Sequence, residues 1–183
     1  MGEVFVSLKG QNLSKDKIVE NGSNHCILYG ELYTTYSEII KTVKSRTNEN
    51  GGINSEINDL LLPCSTTTTG IDLANVTALN ERNILLGSDI TILRSKQEIS
   101  NIFYAYYLSN YKKHQLAKYG QGSTIVHLYY NHFKVMKIDI PSLPEQEKIA
   151  DFLSSIDESI ENVGKQIEAA QEWKKGLLQK MFV

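Results

Sequence analysis

The sequence predicts an α+β protein: a mixed globular domain over residues 1–143, then one long coiled-coil helix over residues 144–183. Three observations predict it. Short apolar runs bounded by polar or glycine-bearing stretches fill the first part, as strands do. One tyrosine-rich segment within that part has helical spacing. The final segment carries a sustained four–three alternation of apolar side chains and, after Pro144, no further proline.

In chain order, strands are expected over residues 4–8, 25–29, 59–64, 90–93, 125–128 and 135–140. Turn chemistry separates them, as at Asn48-Glu49-Asn50-Gly51-Gly52 and Thr66-Thr67-Thr68-Thr69-Gly70. A helix is expected over residues 100–117, where Ile102, Phe103, Tyr106, Tyr107 and Tyr111 share a face and Gly120 follows as a stop. Ser142-Leu143-Pro144-Glu145 then has the form of a capping box with proline in the first turn. Glu145 and Glu147 suit the positive end of a helix dipole, and Lys174, Lys175 and Lys180 suit the negative end.

The seam of that last helix is Ile149, Leu153, Ile156, Ile160, Val163, Ile167, Ala170, Lys174, Leu177 and Met181. Only Lys174 is polar, and a polar seam residue helps fix register. At 1.5 Å per residue the helix should run roughly 55 Å. Such a stripe is buried either by another helix or by the helix's own domain. Phe152, Trp173 and Leu178 widen it beyond a two-stranded seam. Gly164 and Gly176 cost about 1 kcal/mol each relative to alanine; they permit close approach or bending, or are simply tolerated.

Composition narrows the function classes. The net charge is −2, with 14 basic and 13 acidic residues over 1–144 and 5 against 8 over 145–183. That is not the overall basic footprint of many nucleic-acid binders, though it leaves room for a local patch. No apolar run is long enough to span a membrane, and the start at Met1 lacks the form of a signal peptide. Cys26 and Cys64 are isolated and are expected to be buried thiols in a cytoplasmic protein.

Catalytic motifs are missing from the sequence. It contains no phosphate-binding GxxxxGK[ST] loop, no HExxH and no GxSxG. Nor does it contain the Asn/Asp-Pro-Pro-aromatic motif of adenine methyltransferases. His25, His114, His127 and His132 show no metal-ligand spacing. No catalytic residue, metal or bound cofactor is therefore expected. Three polar loops remain as candidate binding surfaces. The first holds Tyr33, Thr34, Thr35 and Tyr36; the second Ser65, Thr66, Thr67, Thr68 and Thr69; the third Gln121, Gly122, Ser123 and Thr124. Hydroxyls suit phosphates and base edges, a glutamine can pair with adenine, and glycine lets a ligand approach the backbone. Lys44, Arg46, Arg94 and Lys118 are candidate phosphate partners. For each loop the alternative is a solvated turn.

The C-terminal third carries a resemblance. Gly122-Ser123-Thr124-Ile125-Val126-His127, Phe133-Lys134-Val135-Met136-Lys137-Ile138-Asp139-Ile140-Pro141 and Leu143-Pro144-Glu145-Gln146-Glu147-Lys148-Ile149-Ala150-Asp151-Phe152-Leu153 resemble the target-recognition domains of type I restriction–modification specificity subunits. Ile156-Asp157-Glu158-Ser159-Ile160 and Lys174-Lys175-Gly176-Leu177-Leu178-Gln179-Lys180-Met181-Phe182 look like that family's spacer helix. The likeness covers nearly the whole chain and is most specific from about Gly120 onward. It implies a non-catalytic DNA-reading component. Two recognition domains, held apart by an antiparallel pair of helices, would each read half of a bipartite site. Methyltransferase subunits using S-adenosylmethionine, and in some assemblies a motor-nuclease subunit, would dock on it. This chain has one domain and one helix: a natural short form, a truncated gene product or a fragment. An antiparallel homodimer is the expected remedy for its unpaired seam, and a two-fold dimer would favour a palindromic site. Two other readings stay open: an assembly half-subunit that reads no sequence, and a stand-alone DNA-binding regulator.

Overall fold

The computed structural model describes residues 1–182. Two compact units are present, Met1–Glu147 and Lys148–Val183. In chain order the elements are β1 (Phe5–Lys9), β2 (Asn24–Ile27), α1 (Glu31–Thr34), β3 (Ser45–Thr47), β4 (Ile53–Asn54), β5 (Asp59–Pro63), β6 (Ser65–Thr66) and α2 (Gly70–Leu73). They continue with β7 (Thr77–Leu79), β8 (Leu85–Leu86), β9 (Ile90–Ser95), α3 (Asn101–Tyr106), α4 (Lys113–Ala117), β10 (Val126–His127), α5 (Tyr130–Phe133) and α6 (Leu143–Met181). The class is α+β with one long terminal helix, as the sequence predicts.

Strands β1, β9, β5 and β7 form an antiparallel sheet in that order. A second sheet runs β3-β2-β8-β4, with only β2 and β8 parallel. The main core lies between them: Leu61, Leu79, Ile90 and Ile92 of the first sheet meet Ile27, Leu86, Leu32, Ile40, Val43 and Ile84. The other face of the first sheet is covered by α3, where Phe5 meets Tyr104 edge-on at 5.5 Å. With both faces covered, β5 has no solvent side. Leu60, Leu61 and Leu62 are all fully buried, so β5 appears in the sequence as an unbroken apolar run rather than an alternation.

Two sequence expectations need correction. Residues 135–140 form no strand: Val135 belongs to the turn after α5, closed by the Met136 N–H to the Phe133 carbonyl at 2.9 Å, and 136–140 have no ladder partner. Their backbone groups are met in other ways. The Met1 amino group donates to the Met136 carbonyl at 2.8 Å. The Tyr104 hydroxyl donates to the Asp139 carbonyl at 3.3 Å, and the Asp139 N–H donates to the Tyr107 hydroxyl at 3.1 Å. The helix expected over residues 100–117 is broken: α3 passes into one wide π-helical turn over Tyr107–Tyr111 before α4. In that turn Ser109 exchanges two bonds with the Val76 backbone, at 2.7 and 2.9 Å.

The start of α6 has a specific anchor. Gln146 is buried, accepts a bond from the Ser100 N–H at 3.0 Å and donates to the Pro141 carbonyl at 2.9 Å. Ser100 is also the N-cap of α3, so one carboxamide fixes two helix starts. Glu145 and Gln146 N–H groups both reach the Ser142 carbonyl at 3.0 Å. No helix among the described residues is long and apolar enough to cross a membrane.

Candidate nucleic-acid interface

The three polar loops, far apart in sequence, meet at one end of the globular unit. The second loop leaves β5 and forms β6, which pairs with β10 just after the third loop, Thr66 opposite Val126 and Ser65 opposite His127. Gln121 and His127 exchange backbone bonds of 2.8 and 2.7 Å, which closes the third loop into a tight hairpin. Gly122 sits within it at φ 121, and a Cβ there would lie 2.0 Å from the Ile125 carbonyl. Only glycine fits. Gly70 and Gly120 bring the second and third loops together, each lying against the Ala117 carbonyl. The first loop lies beside them, with Tyr33 near enough to Thr66 and Asp72 for both to act on its hydroxyl.

Within this cluster the hydroxyls differ. Thr66 is buried, whereas Thr67, Thr68 and Thr69 are exposed. Thr68 and Thr69 donate their hydroxyl protons to Asp72 Oδ2 at 2.6 and 2.7 Å. With the Thr69 N–H at 3.0 Å, this completes a capping box at α2. Those bonds hold the Asp72 carboxyl below the usual carboxylate range, the Thr68 and Thr69 hydroxyls first. Sequence reasoning passed over Asp72, although Thr69-Gly70-Ile71-Asp72 carries the capping-box spacing. A hydroxyl has one proton to give. Thr68 also takes the Thr66 hydroxyl proton at 2.8 Å and Thr69 the Asp72 N–H, so each keeps one acceptor lone pair.

In the first loop Thr34 and Thr35 are exposed, and Thr34 donates back to the Gly30 carbonyl at 2.9 Å. Burial raises the Tyr33 and Tyr36 hydroxyls above their ordinary values. Tyr36 accepts the Lys44 N–H at 3.0 Å, so exposed Lys44 stands at the foot of this loop. Glu31 holds the loop in place, accepting from the Leu28 N–H and the Ser45 hydroxyl, both at 2.7 Å. Beside it opens a cavity of ≈ 770 Å³ lined by Leu13, Ile18, Leu28, Tyr29, Thr34 and neighbours. Gln121, Ser123 and Thr124 are exposed at the tip of the third loop, and exposed Lys118 precedes it.

Arg46 and Arg94 are not brought to the cluster. Arg46 lies on β3 and its Nε donates to the Gly22 carbonyl at 2.9 Å. Arg94 on β9 stands level with Asp59, at the opposite end of β5 from the second loop. Six residue steps separate Asp59 from Ser65, about 20 Å at about 3.3 Å each. Arg94 reaches Asp59 through Nε at 2.9 Å and Nη2 at 3.2 Å, Glu56 at 2.6 Å and the Asn54 carbonyl at 2.7 Å. Burial pushes the Asp59 carboxyl above its ordinary value, against the pull of Arg94. This guanidinium is a structural counter-ion.

Cys26 and Cys64 are both buried and unbridged; burial first, then Glu31, pushes the Cys26 thiol up to about 11. No group of three or more potential ligands among the described residues is placed to hold a metal ion. On α6, seam residues Ile149, Ile156, Ile160, Val163, Ile167, Leu177 and Met181 are all exposed on the single chain. Gly164 and Gly176 have nothing within 4 Å of where a Cβ would stand.

The globular unit thus gathers polar loops at one end of a two-sheet body. Residues 1–171 match the type I restriction modification DNA specificity domain, and the chain belongs to that family. It is 35% identical over 98 residues to the type I restriction enzyme MjaVIII specificity subunit of Methanocaldococcus jannaschii, covering 54% of this chain and 23% of that protein. A type I restriction–modification S subunit from M. genitalium superposes with a TM-score of 0.62 at 22% identity, over 93% of this chain and 41% of that one. The HsdS subunit of Thermoanaerobacter tengcongensis superposes with a TM-score of 0.58 at 17% identity, over 87% and 36%. At those identities the two superpositions are likenesses of fold. The chain spans about a quarter of the curated relative and about two fifths of the solved subunits.

Proposed function

We propose that this chain reads one half of a bipartite double-stranded DNA site for a type I restriction–modification complex. The convergence of the three loops carries the reading: residues near 33, 67 and 122 form one surface only in the folded chain. Thr68 and Thr69, as acceptors, suit the amino groups of adenine or cytosine in the major groove. Gln121, Ser123 and Thr124 add donors and acceptors, and Lys44 and Lys118 supply charge for flanking phosphates.

In the same reading α6 pairs with a second copy as an antiparallel homodimer through Ile149, Leu153, Ile156, Ile160, Val163, Ile167, Ala170, Lys174, Leu177 and Met181. The exposure of this seam on the single chain supports it, since an apolar stripe of that length is stable in water only when covered. Methyltransferase subunits, and where present a motor-nuclease subunit, dock on the dimer. S-adenosylmethionine belongs to the methyltransferase subunits, and this chain binds no cofactor.

The test is the methylation pattern of the reconstituted complex, with solution mass measured alongside. Alanine at Thr67, Gln121 and Thr124 should abolish or redirect methylation while mass and folding stay unchanged. Unaltered methylation would leave an assembly protein that reads no sequence, and sequence-specific binding without any methyltransferase would leave a stand-alone regulator. Aspartate at Ile156, Ile160 and Ile167 should give a folded monomer.

A further inference from the structure

We infer that a second copy of this chain covers the α6 seam in one particular antiparallel register, with Phe152 of each copy against Trp173 of the other. The inference deepens the dimer reading above and rests on it.

Two aromatic side chains lie bare beside the seam: Phe152 is 65% exposed and Trp173 68% exposed. They occupy the same flank, three heptads apart. In an antiparallel pair, residues level with each other along the axis have numbers with a constant sum. Full overlap of Leu143–Met181 requires a sum of 324, since 143 + 181 = 324. The seam has two columns, one through Leu153, Ile160 and Ile167 and one through Ile156, Val163 and Ala170. Antiparallel packing sets each column opposite the other. The permitted sum nearest full overlap is 323, which pairs Ile160 with the partner's Val163 and Ile156 with the partner's Ile167.

At that register the flank before the first column faces its own copy. Two flank positions cannot sum to 323; the nearest flank sum is 325, two residues or about 3 Å off level, so Phe152 then meets the partner's Trp173, Ser159 meets Gln166, and Glu145 meets Lys180, an aromatic pair inside an opposite-charge pair. A slip of one heptad either way shortens the overlap. It sets Phe152 against Gln166 or Lys180, and Trp173 against Glu145 or Ser159. Only one register satisfies overlap, seam, aromatics and charge together. The middle of the helix agrees: a groove lined by Ser155, Ile156, Ser159, Ile160 and Val163 lies where the partner's Val163 and Ile167 would enter. Ser155 and Ser159 donate into their own helix, to the Phe152 and Ser155 carbonyls at 2.7 and 2.9 Å. The groove therefore presents small side chains without unmet donors.

The register has a consequence for DNA. It separates the two helix starts by about 55 Å, and a one-heptad slip changes that by about 10 Å at 1.5 Å per residue. At 3.4 Å per base pair, the slip is about three base pairs of half-site spacing.

The experiment uses the full chain with Ser159→Cys or Gln166→Cys, both exposed positions; Cys26 and Cys64 are buried. Under mild oxidation an equal mixture of the two variants should give a disulfide-linked dimer, and neither variant alone should. Cross-linking of S159C alone or Q166C alone marks a slipped register and overturns the inference while the dimer stands. A dimeric mass with no cross-link in the mixture overturns it in favour of another pairing. A monomeric mass overturns both readings. Trp173 is the chain's sole tryptophan and an independent reporter. Its emission should lie to the blue in the dimer and shift red on dilution or with Phe152→Ala; an emission indifferent to both would also overturn the contact.

Discussion

Replacing Arg94 by methionine removes the counter-ion of a buried carboxylate. Asp59's side chain is 1% exposed and Arg94's 22%. The change deletes two bonds to Asp59, one to Glu56 and one to the Asn54 carbonyl. The Glu56 N–H at 2.8 Å stays on the orphaned Asp59 carboxylate. Breaking a buried ion pair on one side costs about 3–5 kcal/mol. With Arg94 partly open to water and one Asp59 bond retained, the expected loss is at the lower end, about 3 kcal/mol. At roughly 2–4 °C per kcal/mol for a chain of this size, the melting point should fall by about 6–12 °C. Burial already raises the Asp59 carboxyl, and losing Arg94 raises it further. A carboxyl raised in the folded state binds its proton more tightly there than when unfolded. Its favourable contribution is present below the unfolded value, about 3.9, and is lost as pH rises through the folded value. The variant's deficit should therefore be largest at pH 7 and shrink on acidification toward about pH 4.5. Urea denaturation at both pH values reads this directly, and Asp59→Asn in the R94M background should recover part of the loss. A variant within about 0.5 kcal/mol of the parent at pH 7, or a deficit that grows with acid, would refute the reasoning.

Other measurements probe the rest of the molecule. Gln146→Ala orphans the Ser100 N–H and the Pro141 carbonyl, so it should cost about 1–3 kcal/mol; amide exchange at Ser100 should quicken, and protection unchanged there would deny the anchor. DNA affinity of the isolated chain should depend on few charges. With Lys44 and Lys118 as the phosphate contacts, the log–log salt slope is about −2 per domain and about −4 for a dimer. Raising salt from 50 to 200 mM should weaken a dimer's binding by about two orders of magnitude, and titration by fluorescence anisotropy checks it.

Much of this protein is legible in its sequence because the signals are local. The α6 seam needs only a repeat of three and four, and the strands at residues 4–8, 59–64 and 90–93 need only apolar runs between turn residues. The stretch over 135–140 has the composition of a strand but forms none, because no ladder was available. Its backbone is met by Met1, by the Tyr104 hydroxyl of α3 and by the Tyr107 hydroxyl of the π-helical turn, groups more than 25 residues away. Short strands such as β4, β6 and β8 left no periodic trace at two residues each.

For the candidate site, residue types were readable and partnerships were not. Hydroxyls, glycines and lysines in three loops mark surfaces able to meet a nucleic acid. Their convergence depends on β6 pairing with β10 and on Tyr33 reaching Thr66, contacts across 60 and 33 residues of chain. Arg94 shows the converse: as a lone arginine it is indistinguishable from a phosphate ligand until the fold sets it beside buried Asp59. The sequence by itself determined the fold class, the long helix and its apolar seam, because propensity, capping and periodicity act over a few residues. The tertiary structure alone decided which polar groups share a surface and which charges are spent internally, because burial and hydrogen-bond satisfaction depend on residues the chain brings together only by folding.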